Sequence, residues 1–345
     1  MLKVKLTRNE GVLITKPENK LYESGFTGSF GFVLYYGDRK EFVTDFRYKK
    51  QVQEQCKDFD IKMVNKTYRI FEYIKDLNLD TLYIEKSHVT VDFLENLSEI
   101  SGISNFKSID QVISNSRMIK SDIEIAKMRK AQSIADDAFD HILTFIKEGV
   151  TEREIAAELE YHMVRNGASG KSFNTIVASG LRSSMPHGVA TDKKVEKGDF
   201  ITMDFGCVYQ GYCSDMTRTI VLGKASDRQK EIYNTVLKAQ LKAFDLMKAG
   251  AKCSDIDSLA RDVIESSGYG EYFGHGLGHG VGLEVHETPY LSKESEDVLK
   301  SGMVVTNEPG IYINDFGGVR IEDIIYIKDS GYDILSRSTK ELIEL

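Results

Sequence analysis

The chain repeats one pattern. "AFDHILTFIKEG" (Ala138–Gly149) is echoed by "AFDLMKAG" (Ala243–Gly250), shorter by four residues, about one helical turn. A second amphipathic helix follows each copy. Thr151-x-x-Glu154 opens the first, with Ile155, Leu159 and Met163 on one face. The later one spans Ser254 to Ser267, with Ile256, Leu259, Ala260, Val263 and Ile264 apolar. Glycine-rich sequence and a hairpin-like segment come next in both cases. The repeated order of helix, helix and strands predicts an α+β domain built by internal duplication.

Both hairpins carry acids. The first, Asp199–Leu222, turns near Tyr209–Gly211, and folding it there sets Asp204 opposite Asp215. The second, Met303–Ile327, turns near Asp315 and sets Glu308 opposite Glu322. Opposed Cβ atoms lie ~5 Å apart, and like charges so placed repel. One acidic pair on a hairpin is ordinarily a solvated face. Here the neighbours are apolar or small: Met203, Phe205, Val305, Pro309, Ile321 and Ile324. Two such pairs in duplicated contexts predict bound divalent cations. Carboxylate oxygens with one imidazole suit manganese, cobalt, iron or zinc. Two such ions ~3.5–4 Å apart activate a water and polarise the carbonyl it attacks.

The imidazole comes from "FGHGLGHGVGLEVHE" (Phe273–Glu287), which holds three of the seven histidines: His275, His279 and His286. In extended conformation His275, Leu277, His279 and Val281 share one face and the glycines take the other. Missing side chains let another backbone or a ligand come close. A lone strand histidine is more often a satisfied core residue, but three so close together beside the acids are not. His279 projects as a ligand, and His286, in "VHETP", as a substrate-facing group. His187, in "SSMPHG", is a fourth histidine of interest. Three of the four prolines, Pro186, Pro289 and Pro309, adjoin these motifs and stiffen their turns.

A length of 345 residues predicts about two domains. "GFVLYYGDRKEFVTDFRY" reads as a hairpin around Gly37-Asp38, "KTYRIFEYIKDLNL" as a helix, "TLYIEK" as a strand and "VDFLENLSEI" as a helix. That alternation predicts an α/β layer domain. "SGFTGSFG" lacks the P-loop ending and reads as a turn. A boundary falls near Ser114–Ser121, after which Ser121 and Glu124 form a capping box. Hydrophobic content of 41% and charge of 28% are those of a soluble globular chain. No apolar run reaches the ~18 residues of a membrane span, and no signal peptide is read. A net charge of -8 without a basic cluster argues against nucleic acid and anionic membrane as partners. Four cysteines without a CxxC predict buried thiols in the cytoplasm, although Cys207 and Cys213 flank a turn.

Taken together, "MDFG", "YCSDMTRT", "GHGVGLEVHE", "TNEPGIY" and "GVRIED" resemble the motifs of the pita-bread metallopeptidases. That family includes methionine aminopeptidases, Xaa-Pro aminopeptidases and prolidases. The resemblance covers about Ser121 to Leu345, and "YESGFTGSFGFVL…TDFRY" looks like the N-terminal domain of the Xaa-Pro branch. It implies a creatinase-like α/β domain over 1–118 and a pita-bread catalytic domain over 119–345. It also implies two divalent ions, manganese or cobalt ahead of zinc or iron. Asp204 would chelate one, Asp215 and Glu322 bridge both, and His279 and Glu308 hold the second. Glu308 would shuttle a proton, and His286 and His187 would hydrogen-bond the substrate and its oxyanion. His275 is assigned to the substrate pocket, and Arg320 to orienting or binding a carboxylate. The implied partners are a proline-containing peptide and a second copy of the chain as a homodimer. The N-terminal domain disfavours a methionine aminopeptidase. The intact acids and histidines disfavour a metal-free hydrolase or a non-catalytic peptide-binding protein. A dipeptidase blocks its cleft beyond the second residue and an aminopeptidase leaves it open, which motifs alone do not distinguish.

Overall fold

The computed structural model describes residues 4–345. The chain divides into two compact units, Met1–Arg117 and Met118–Leu345. In the first, strand alternation sets the layers. Val12 and Ile14 pack with Val33, Phe42 and Val52, while Leu13 packs with Leu34, Val43 and Leu82. Both sheet faces are therefore covered. The sheet has six strands, in the order Asp60–Met63, Arg39–Thr44, Phe32–Tyr36, Glu10–Ile14, Thr81–Ile84, Asn105–Ser108. Tyr36 pairs with Arg39, leaving Gly37-Asp38 as a two-residue hairpin turn. The helix in "KTYRIFEYIKDLNL" covers only Ile70–Asp76.

The second unit is a duplicate. Its first half has helices Asp122–Phe145 and Glu152–Arg165, and its second has Asp227–Ala243 and Cys253–Ser266. Capping boxes at Ser121/Glu124 and Thr151/Glu154 start the first pair. The equivalence is anchored at Gly149 and Gly250, both left-handed with φ 89°. Each lies three residues past a helical C-cap, Ile146 and Met247, and two residues before the next N-cap, Thr151 and Lys252. Gly149 N–H donates to Val195 O at 2.9 Å, and Gly250 N–H to Leu299 O at 2.8 Å. Gly198 N–H donates to Leu222 O, and Gly302 N–H to Ile327 O. The shared letters "AFD" are not equivalent. Ala138–Asp140 lie inside a helix, whereas Ala243 ends one and Phe244–Leu246 form a 3₁₀ turn. The duplication preserves the stop, the cap and the strand entry.

These equivalences bring together the hairpins, Phe200–Phe205 with Met216–Val221 and Val304–Asn307 with Asp323–Ile327. Two fully buried charges, Arg218 and Asp323, join the two hairpins at 2.7 Å. Arg218 also donates to the carbonyls of Thr217, Thr339 and Ser338. Asp323 accepts from Lys340 at 2.8 Å and Gln240 at 3.0 Å. Burial raises the Asp323 pKa, but Arg218 and Lys340 outweigh it and hold the carboxyl ionised. Removing Arg218 leaves the buried Asp323 with Lys340 as its one cation and takes a donor from three carbonyls. Arg218→Met is therefore expected to destabilise the fold by about 3–5 kcal/mol. A urea titration reads this as a lower midpoint at unchanged slope.

Candidate metal centre and substrate cleft

In the first hairpin the register differs from the expected one. Asp204 pairs with Thr217, and Phe205 with Met216. The cause is the turn: Tyr209 pairs with Tyr212, so Gln210 and Gly211 alone make it, with φ 49° and 87°. This sets Asp215 two positions from the partner of Asp204, in the break between the strands Tyr212–Cys213 and Met216–Val221. In the second hairpin the expected register holds. Asn307 pairs with Asp323 and Gly310 with Arg320, which aligns Glu308 with Glu322 between two ladders. Neither glutamate lies in a regular strand. Their N–H groups donate to Leu277 O and Thr217 O.

The glycine run also departs from the simple extended picture. Only Gly278–Gly280 forms a strand, and a β-bulge falls between His279 and Gly280. Leu277 joins the core with Ile256 and Ile264, whereas His275 and His279 line a cavity. They do not share a face with Leu277. The close approach expected of the glycines is present at Gly278, where a Cβ would collide with the Thr306 carbonyl.

The cavity has a volume of about 1080 Å³. Asp204, Asp215, His279, Glu308 and Glu322 line it, as do His187, His275, His286 and Arg320. One ligand atom each from Asp215, His279 and Glu322 lie within 4.8 Å of one another. His279 Nε2 is 3.2 Å from Glu308 Oε1 and 3.7 Å from Asp215 Oδ2. Its Nδ1 faces Gly280 O at 3.1 Å, which can only accept, so Nδ1 carries the hydrogen. In a neutral imidazole the Nε2 lone pair would then point at carboxylates. Only a proton or a metal cation there makes the arrangement favourable.

The electrostatics agree. Burial, then Glu322 and the other acids, hold the Asp215 carboxyl well above its usual range. Burial, Glu308 and Asp204 do the same to Glu322. Burial raises Asp204 against the pull of Arg320. Glu308 goes the other way, since its hydrogen bond from His279 overcomes burial and lowers it to about 2. Asp204 Oδ1 is buried without a hydrogen-bond partner. Crowded acids, an outward lone pair and an orphaned oxygen together fit divalent cations.

Hydrogen bonds hold the donors in place. Arg320 donates to Asp204 Oδ2 at 2.6 Å, Tyr312 OH at 2.8 Å, Thr217 Oγ1 at 3.0 Å and Pro186 O at 3.2 Å. Thr217 Oγ1 donates to Glu322 at 2.7 Å, and Thr306 Oγ1 to Glu308 at 3.1 Å. His275 spends both ring nitrogens, one on Gly276 O at 2.8 Å and one on Tyr312 OH at 3.0 Å. The geometry thus makes His275 a prop for Tyr312. His187 and His286 are exposed to the cavity, and the His286 ring packs edge-on to His279 at 4.4 Å. Sequence reasoning missed Tyr312, Thr217 and Thr306. Tyr312 stands inside "TNEPGIY", but only the fold reveals its contact with Arg320.

The model for metallopeptidase family M24 matches residues 126–329, and that for the Creatinase/Prolidase N-terminal domain matches 7–119. The chain belongs to metallopeptidase family M24, with a creatinase-type N-terminal domain before the pita-bread catalytic fold. It is 45% identical over 337 residues to the Xaa-Pro dipeptidase of Pyrococcus horikoshii, covering 97% of this chain and 94% of that one. The structure of an Xaa-Pro dipeptidase from Bacillus anthracis superposes with a TM-score of 0.94 at 46% identity, covering 97% and 95% of the two chains. An X-Pro aminopeptidase from Thermotoga maritima matches with a TM-score of 0.91 at 40% identity and 97% of both. The chain is therefore a metallopeptidase, and the family implies divalent metal. No helix among the described residues is long and apolar enough to cross a membrane.

Proposed function

We propose that this enzyme hydrolyses the peptide bond between an N-terminal residue and a following proline. The observation that carries the reading is the convergence of four carboxylates and one imidazole on a single cavity with two open histidines. Relatives named Xaa-Pro dipeptidase and X-Pro aminopeptidase support it. Asp204, Asp215, His279, Glu308 and Glu322 would hold two divalent ions, manganese or cobalt ahead of zinc or iron. When bound, such ions supply an activated water and polarise the scissile carbonyl. Glu308 takes the proton of the attacking water and passes it to the leaving proline nitrogen. His286, whose pKa burial lowers, donates to the carbonyl oxygen and the developing oxyanion, with His187 on the substrate beside it. Arg320 holds Asp204 and Tyr312 in position. The proline amide has no N–H and a fixed φ, so it presents a shape ordinary clefts do not fill. Four buried free thiols favour a reducing compartment.

The test compares Xaa-Pro, Xaa-Pro-Yaa and Xaa-Ala peptides with the enzyme reloaded with manganese or cobalt after chelation. Both proline substrates are expected to exceed the alanine one by about 10²-fold or more in kcat/KM. Cleavage of dipeptides alone makes it a prolidase, and cleavage of longer peptides an Xaa-Pro aminopeptidase. Equal rates on alanine and proline, or no cleavage with metal bound, would overturn the reading.

A further inference from the structure

A second cavity, of about 330 Å³, lies within the first unit. Phe30, Phe32 and Phe93 form an aromatic wall, with centroids 5.5 Å apart for Phe30–Phe32 and 6.3 Å for Phe32–Phe93. Lys20 and His88 also line it. Lys20 belongs to the helix Pro17–Ser24 and is only 4% exposed. Its ammonium makes no hydrogen bond or ion pair among the described residues. The carboxylate that acts on it most is Glu85, but the hydrogen bonds that Glu85 accepts come from other groups. One Glu85 oxygen accepts from Thr15 N–H at 2.5 Å, Thr15 Oγ1 at 2.8 Å and Lys16 N–H at 2.9 Å, and the other from Asn19 Nδ2 at 2.6 Å.

The Lys20 stem is buried while its ammonium opens on the cavity, so a group bound there is the partner the protein itself does not give it. Burial has already lowered the Lys20 pKa, the expected response of a poorly solvated ammonium. An apolar residue would fill the same space at no such cost. The cavity supplies what Lys20 lacks, namely room for an anion. Its aromatic wall sets the rest of the ligand, because inorganic anions leave such surface wet.

We propose that this cavity binds a small carboxylate carrying an apolar or aromatic group. The carboxylate pairs with Lys20, and the apolar group lies against Phe30, Phe32 and Phe93. The site is independent of the peptidase reading. The probe is 3-phenylpropionate, titrated calorimetrically into the full-length, metal-loaded enzyme. Saturable binding is expected, and Lys20→Met is expected to weaken it at least about tenfold. The neutral 3-phenylpropionamide should bind the wild type at least about tenfold more weakly, and inorganic phosphate likewise. Lys20→Met removes the charge while keeping an unbranched stem of similar length. Peptidase activity at wild-type level certifies its fold, and Lys20→Gln serves if the first variant fails to fold. Absence of saturable binding overturns the proposal. So does binding that persists at full strength in the variants, since that carboxylate sits in the catalytic cleft.

Discussion

Glu322→Ala is expected to abolish peptidase activity and empty the metal site. Outer partners of a metal site typically cost ~10–100-fold when lost. A carboxylate held among the metal donors should cost more, at least about 10³-fold in kcat/KM. Glu322 is 1% exposed, accepts from Thr217 and aligns with Glu308. Metal analysis after dialysis should find less bound ion than in wild type. The metal-free protein supplies a second readout with the opposite sign. There the folded-state pKa of Glu322 lies well above the unfolded value, through burial and the charges of Glu308 and Asp204. Such a group penalises the folded state above the unfolded pKa of ~4.3, and the penalty vanishes at lower pH, where both states are protonated. Metal-free Glu322→Gln should therefore melt above metal-free wild type near neutral pH, with the gap closing on acidification toward pH ~4. A fully active, fully metallated Glu322→Ala enzyme would remove Glu322 from the centre.

Glu308→Gln should lower kcat by about 10²–10⁴-fold, the usual contribution of a positioned acid–base group. The amide keeps an oxygen for the metal and the hydrogen bond from Thr306 Oγ1 at 3.1 Å. It cannot carry a proton between water and leaving nitrogen. Bound metal should consequently fall less than in Glu322→Ala, and KM should change less than kcat. The variant also removes the charge from the contact between Glu308 Oε1 and His279 Nε2, which lies at 3.2 Å and lowers the Glu308 carboxyl to about 2 before metal binds. Retention of kcat within about tenfold, at full metal content, would assign the proton transfer to another group.

How legible the molecule was depended on the range of each interaction. The N-terminal hairpin was readable because Gly37-Asp38 is a two-residue turn with local chemistry. The capping boxes at Ser121 and Thr151 were readable for the same reason. Glu308 and Glu322 were aligned correctly because their loop is centred on Asp315. Asp204 and Asp215 were not, because the Gln210-Gly211 turn shifts the ladder by two positions. The acid set survived that error, since a two-residue slip keeps a side chain on its face. The bulge after His279 left no mark in the letters, and neither did the irregular backbone before Gly278, which breaks the alternation that would have put Leu277 with the two cavity histidines.

The sequence by itself determined the duplicated order of helices and strands, the acids buried among apolar neighbours, and the histidine spacing. These follow from periodicity and from the cost of like charges in an apolar strand. Only the tertiary structure decided what the polar groups are used for. It tied Arg320 to Asp204 and Tyr312, spent both nitrogens of His275, left His187 and His286 open to the cleft, and stranded Lys20 beside a second cavity. Those outcomes depend on partners far apart in the chain, and burial and hydrogen-bond geometry exist only once the two halves have packed.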